Sequence, residues 1–107
     1  VADVYLYPNT LQVVAITDPL RMGFRTMAMI GIRVEGSKLL AVADQIAGLK
    51  EVVYLIVVSG TYDIMAEVMC LDQEHLLQFL SEKLHTIDGV RESESFIHLK
   101  IVKEIYY

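Results

Sequence analysis

Residues 52–58 read VVYLIVV, with no charged side chain and only the phenol of Tyr54 for a polar group. A strand with one face in water alternates apolar and polar residues, so a run apolar throughout asks for cover on both faces. With 107 residues the chain has length for a single domain. Hydrophobic residues make up 54% of it, above the usual share for a globular domain. One small core cannot hide that much apolar surface, and the excess predicts association between copies. Apolar runs stop short of the roughly 18 residues that span a bilayer. No basic-then-apolar leader opens the chain, so a cytoplasmic setting is expected.

The flanking pattern says what lies on the first of those two faces. Residues 27–35 (MAMIGIRVE) read as a strand that Gly36 ends. Ser37 stands where a helix N-cap belongs, ahead of a helix over 38–47. Leu39, Val42, Ala43 and Ile46 give that helix one apolar stripe, and Gly48 comes directly after it. After the 52–58 strand and a turn, residues 64–71 (IMAEVMCL) form another strand. Asp72 caps a second helix over 73–85, with Leu76, Leu77, Leu80 and Leu84 as its buried stripe. Gly89 precedes a last strand over 91–105 that alternates over much of its length. Leu39-Leu40 and Leu76-Leu77 repeat at an offset of about 37 residues, a sign of two similar halves.

Strand, helix, strand, strand, helix, strand is the ferredoxin-like order, an α+β fold. Right-handed crossovers place both helices on one face of a four-stranded antiparallel sheet. The other face is left bare, and a second copy is expected to cover it, giving a dimer through the sheets. A stable interface hides roughly 800 Å² per partner. At about 25 cal/mol per Å² that burial exceeds the cost of association. Residues 27–107 form this domain, and residues 1–26 read as an arm ahead of it. The arm carries short strands at 4–7 and 11–16, with Pro8-Asn9 turning between them. Asp18-Pro19 stops the second of these, and Gly23 loosens the chain ahead of the domain.

The formal net charge is −5, from nine Lys+Arg against fourteen Asp+Glu, and no basic stripe is present to neutralise phosphates. Direct contact with nucleic acid through these residues is not expected. The single cysteine, Cys70, has no partner for an intrachain disulfide and reads as a small buried hydrophobe. His75, His85 and His98 show no metal-ligand spacing, and no nucleophile elbow, phosphate loop or dinucleotide fingerprint appears. Asp63 and Glu67 share a strand face but stand about 13 Å apart, too far for paired-carboxylate hydrolysis. No catalytic residue, metal or cofactor is expected.

The turn at residues 59–63 (SGTYD) is the best candidate site. Gly60 can take a positive φ and bare its N–H in a small anion nest. Thr61 adds a hydroxyl, Tyr62 an apolar plate with a polar tip, and Asp63 one negative charge. The nest suits the carboxylate of an α-amino acid and Asp63 its ammonium. The same residues also make an ordinary hairpin in which Gly60 closes the turn and Asp63 caps it. On the last strand Glu92 and Glu94 project to one face, Ser93 and Ser95 to the other. The serine face would complete a site across a subunit boundary, or it is a solvated strand end.

Taken in order, LQVVAITDPLRMGFRTMAMIGIRVEG, VSGTYDIMAEV and SEKLHTIDGVRESESFIHLKIVK resemble the effector-binding domain of the Lrp/AsnC feast/famine transcriptional regulators. The likeness runs over about residues 11–103. It implies a ferredoxin-like domain that dimerises through its sheets and assembles further into rings of dimers. It also implies an amino acid or related metabolite bound at contacts between dimers. Gly60, Thr61, Tyr62 and Asp63 would line that site, with Ser93 and Ser95 nearby. Regulators of this family contact DNA through a helix-turn-helix, and no such pair of helices is legible in these residues. A truncated regulator or a stand-alone sensing domain is expected. Two other readings remain open: a small dimeric ferredoxin-like enzyme, and an amino-acid-binding regulatory module of a metabolic enzyme.

Overall fold

A computed structural model describes residues 26–105 in full and the backbone of residues 3–7 and 12–16. Strand β1 (Asp3–Tyr7) pairs antiparallel with β2 (Gln12–Ile16), from Asp3 opposite Ile16 to Tyr7 opposite Gln12. The Pro8-Asn9 turn, Leu11, the Asp18-Pro19 stop and Gly23 lie outside the described residues. The domain proper comprises β3 (Thr26–Val34), α1 (Leu39–Ala47), β4 (Val52–Val57), β5 (Ile64–Cys70), α2 (Gln73–Gln78) and β6 (Val90–Ile97). Its antiparallel sheet runs β4-β5-β3-β6, so the first and last strands of the domain sit side by side. This is the βαββαβ arrangement that the strand and helix order predicts.

Alternation within β3 and β5 decides which residues meet the helices. Ala28, Ile30, Ile32 and Val34 are buried, as are Ile64, Ala66, Val68 and Cys70. They form one core with Val42, Ala43 and Ile46 of α1 and with Leu76, Phe79 and Leu84 beyond β5. The Cys70 thiol is pushed up to about 11, first by burial and then by the charges of Glu51 and Asp72. It stays protonated at neutral pH and packs as a hydrophobe.

Three local expectations are corrected. Ser37 caps no helix. It sits inside a 3-10 turn, Gly36–Lys38, closed by the Lys38 N–H donating to Glu35 O at 2.9 Å. That backbone bond occupies the turn, and α1 starts after it without a side-chain cap. The second helix is not α-helical to residue 85. After Gln78 it widens into a π-helical stretch, Phe79–Leu84, whose His85 N–H donates to Leu80 O. The wider turn moves the inward stripe from four-residue to five-residue spacing, Phe79 to Leu84. Leu77, in the α-helical turn before that stretch, faces outward at 64% exposure, and Leu80 is half-buried. Finally, the last strand stops at Ile97 rather than reaching residue 105. One more ladder bond, His98 N–H to Met27 O, marks where the start of β3 leaves nothing further to pair with. Residues 98–105 continue without regular structure, and Leu99, Ile101, Val102 and Ile105 are exposed.

A buried ion pair ties β4 to the second helix. Glu51 is 4% exposed and accepts from Lys83 Nζ at 2.7 Å and from His75 at 3.0 Å. The Leu71 N–H donates to His75 Nδ1 at 2.9 Å, which fixes the ring proton on Nε2, facing Glu51. Burial alone would raise the Glu51 carboxyl. The hydrogen bonds from Lys83 and His75 outweigh it and hold the group below its ordinary 4.5. A depressed carboxylate stabilises the fold above its unfolded value, and that contribution is lost as pH falls through the folded value. Unfolding free energy is therefore expected to drop as the pH is lowered below about 4.5, with Glu51→Gln showing a shallower drop in parallel denaturant titrations.

On the sheet face away from the helices, Met27, Met29, Met65 and Met69 cluster with Glu67 on the two central strands. Met27 stands directly opposite Met69. Tyr54 and Ile56 of β4 and Phe96 of β6 extend the same surface and are exposed. Within the single chain β4 thus has one face against α1 and the other uncovered.

Candidate functional site

The β4–β5 connection is held where it is by its own aspartate. The Val58 N–H donates to Asp63 O at 2.9 Å, and the Asp63 N–H donates to Ile32 O at 3.0 Å. The Asp63 carboxylate then accepts from the Val34 N–H at 2.9 Å, next to the register shift between Arg33 and Val34. Val34 stays paired with Val90 of β6, but the pairing of β3 with β5 ends at Ile32 opposite Ile64, and the Asp63 side chain supplies the acceptor beyond it. Asp63 therefore latches the hairpin to the end of β3.

The latch lays Tyr62 on the uncovered face of the sheet. Its ring lies over Gly31: a Cβ at that position would stand 2.6 Å from Tyr62 Cδ2. Only a residue without a side chain leaves room for the ring. The Arg33 guanidinium carbon is 5.9 Å from the ring centroid, within cation–π range. Phe96 meets the ring edge-on at 6.4 Å and 76°. The Tyr62 hydroxyl donates to Glu94. Arg33 Nε pairs with Glu92 at 3.1 Å. Arg33, Tyr62, Glu92, Ser93 and Glu94 line an open recess of about 350 Å³. It offers one guanidinium, two carboxylates and an aromatic plate, the groups that hold a small ionic organic molecule.

The residues singled out from sequence are distributed unevenly about this recess. Tyr62 lines it. Asp63 sits behind it, with its carboxylate engaged by backbone. Gly60, at φ +150°, and Thr61 are exposed at the hairpin tip and are not among its lining residues. Ser93 is a lining residue, yet its hydroxyl is 2.8 Å from His85 Nε2, and it pairs across β3 with buried Ile32. Ser95 likewise pairs with buried Ile30. The glutamate face of β6, not the serine face, shares a side with Tyr62. Gly31 and Arg33 are the residues sequence reasoning missed. The signal for them was topological: the ferredoxin-like order sets β6 beside β3, with Glu94 opposite Gly31 and Glu92 opposite Arg33.

Among the described residues no three His, Cys, Asp or Glu side chains group to hold a metal ion. No helix among them is long and apolar enough to cross a membrane.

The described residues thus form a ferredoxin-like sheet with one bare apolar face and a polar recess at its hairpin corner. Residues 27–106 match the family model described as the Lrp/AsnC ligand binding domain, and the chain belongs to that family. It is similar to an uncharacterized HTH-type transcriptional regulator of Pyrococcus abyssi, 35% identical over 89 residues, covering 83% of this chain and 56% of that protein. It is also similar to the HTH-type transcriptional regulator FL11 of Pyrococcus furiosus, 30% identical, covering 84% of this chain and 59% of the relative. The chain thus spans somewhat over half the length of these curated relatives. In fold it is similar to Escherichia coli AsnC, with a TM-score of 0.83 at 24% identity over 90% of this chain and 65% of that one. A Neisseria meningitidis transcriptional regulator solved with L-methionine has the same fold, with a TM-score of 0.77 at 21% identity, over 87% of this chain and 62% of that one.

Proposed function

We propose that this chain is the ligand-sensing and oligomerisation domain of an Lrp/AsnC-type transcriptional regulator, acting in the cytoplasm and without catalytic activity. The observation that carries this reading is the Tyr62 ring seated over Gly31, beside Arg33, Glu92 and Glu94, at the corner of an uncovered methionine-rich face. A second copy covers that face, and the corner then lies at a seam between neighbouring subunits. The effector is an amino acid or related small metabolite. Gly60, Thr61 and Tyr62 form the surface that meets it, and Asp63 anchors them. Ser93 and Ser95 sit behind the strand whose glutamates face it.

Binding acts by preference among assembly states: an effector that fits one arrangement of dimers better than another shifts the population toward it. A ligand of roughly nine heavy atoms, at a ceiling near 1.5 kcal/mol per atom, yields at most about 13 kcal/mol. Micromolar to millimolar affinity is the range suited to a nutrient sensor. DNA contact falls to the helix-turn-helix after which the relatives are named. The regulator names of those relatives support this reading, as does the L-methionine complex of a fold neighbour.

A thermal-shift screen of the chain against the twenty amino acids tests the proposal. One or a few are expected to raise the melting temperature, and Tyr62→Ala to abolish the response. If none of the twenty shifts the melting temperature, the sensing role is wrong.

A further inference from the structure

The charges around Tyr62 say more about the ligand than that it is an amino acid. The recess carries one positive group, Arg33, and two negative ones, Glu92 and Glu94. Arg33 is paired with Glu92, while Glu94 faces only the neutral hydroxyl of Tyr62. Asp63, the group that the sequence offers for an α-ammonium, is already bonded to the Val34 N–H. An α-ammonium in this recess therefore falls to Glu94. A ligand carboxylate falls to Arg33, the one cation among the lining residues, whose planar fork fits a carboxylate in two parallel hydrogen bonds.

Arg33 keeps its Nε on Glu92 while its two Nη groups meet the ligand carboxylate, but one positive charge then answers two carboxylates. With one cation and two carboxylates in the lining, a zwitterion of zero net charge leaves the recess one negative charge in excess. At a seam between subunits that exclude water, such an unbalanced charge is disfavoured. A ligand with one carboxylate and two ammonium groups restores the balance, and the methylenes between its charges find apolar surface on the rings of Tyr62 and Phe96.

We infer that the effector is an amino acid with a cationic side chain, its carboxylate on Arg33 and its two cationic groups on Glu94 and Glu92. This inference rests on the ligand-sensing reading above and narrows it to a class. Isothermal titration of the chain with L-lysine, L-norleucine and cadaverine tests it. Norleucine is lysine without the terminal ammonium, and cadaverine is lysine without the carboxylate. Lysine is expected to bind at least about tenfold more tightly than either, the worth of one charged hydrogen-bonded contact. Glu92→Gln, on an exposed strand face, is expected to shrink the lysine-to-norleucine ratio about tenfold, whereas Glu94→Gln, which meets the α-ammonium both ligands carry, is expected to weaken both alike and leave their ratio unchanged. Norleucine binding as tightly as lysine overturns the inference and leaves the sensing role standing. Cadaverine binding as tightly as lysine overturns the role given to Arg33 and the amino-acid assignment with it. Absence of binding by all three and by the other amino acids overturns the sensing role itself.

Discussion

Phe79→Ala is expected to destabilise the domain by about 3–5 kcal/mol, and Leu77→Ala by no more than about 0.5 kcal/mol. The leucine stripe read from the sequence ranks these two residues the other way round: drawn through Leu76, Leu77, Leu80 and Leu84, it leaves Phe79 out. In the structure Phe79, three residues on from Leu76, faces the core at 1% exposure, and Leu77 faces solvent. The π-helical stretch over Phe79–Leu84 then brings Leu84 onto the same inward face. Truncating Phe79 removes the largest fully buried side chain and opens a cavity between the second helix and the sheet. Truncating Leu77 removes a side chain with little to lose. Urea unfolding at one fixed protein concentration measures both, since association would otherwise shift the midpoints. Equal losses from the two variants would mean that Phe79 does not face the core in preference to Leu77.

Gly31→Ala is the second large effect. Its methyl would stand 2.6 to 2.9 Å from three carbons of the Tyr62 ring. The ring must leave, and its contacts with Arg33, Phe96 and Glu94 go with it. Overpacking of this kind costs about 1–3 kcal/mol. In a Tyr62→Ala background the space is free, and alanine in a strand is preferred over glycine by roughly 0.5–1 kcal/mol. The substitution is then expected to be neutral or stabilising. The two backgrounds should differ by more than about 1 kcal/mol, the signature of residues in direct contact. The same cost in both backgrounds would mean that the ring does not rest on Gly31. Amino-acid binding should be lost in Gly31→Ala for the same reason, because the aromatic plate of the recess is displaced.

How much of the fold is legible in the sequence depends on the range of the interactions involved. β3, β4 and β5 are legible to within a residue or two, because alternation and unbroken apolar runs are local consequences of which faces are covered. Asp72 is legible as a cap, and its carboxylate accepts from the His75 N–H at 2.7 Å. Ser37 has the same chemistry at a similar place, but the chain closes a 3-10 turn there through backbone alone. The end of β6 is not legible, since residues 98–105 keep alternating after the partner strand has run out. For the candidate site, local sequence points to the hairpin, whose Tyr62 lines the recess and whose Asp63 sits behind it. Local sequence does not show what Asp63 bonds to, because the Val34 N–H lies 29 residues away in the chain, at the end of β3. It misses Gly31 and Arg33 because their role exists only once β3 and β6 are neighbours. It favours the serines of β6 over the glutamates because strand alternation separates two faces without saying which of them meets the hairpin.

The uncovered face is where the account stands or falls. Met27, Met29, Met65 and Met69 form an adaptable apolar surface on the central strands, and Tyr54, Ile56 and Phe96 widen it. A surface of this kind on a small domain calls for a partner. Sedimentation equilibrium of the chain and of its Met29→Lys variant measures directly whether that partner is a second copy. The wild-type chain is expected at twice the mass of one chain or a multiple of that, and the variant at the mass of one chain with its circular dichroism unchanged. A wild-type chain that sediments as a monomer at micromolar concentration would contradict the account.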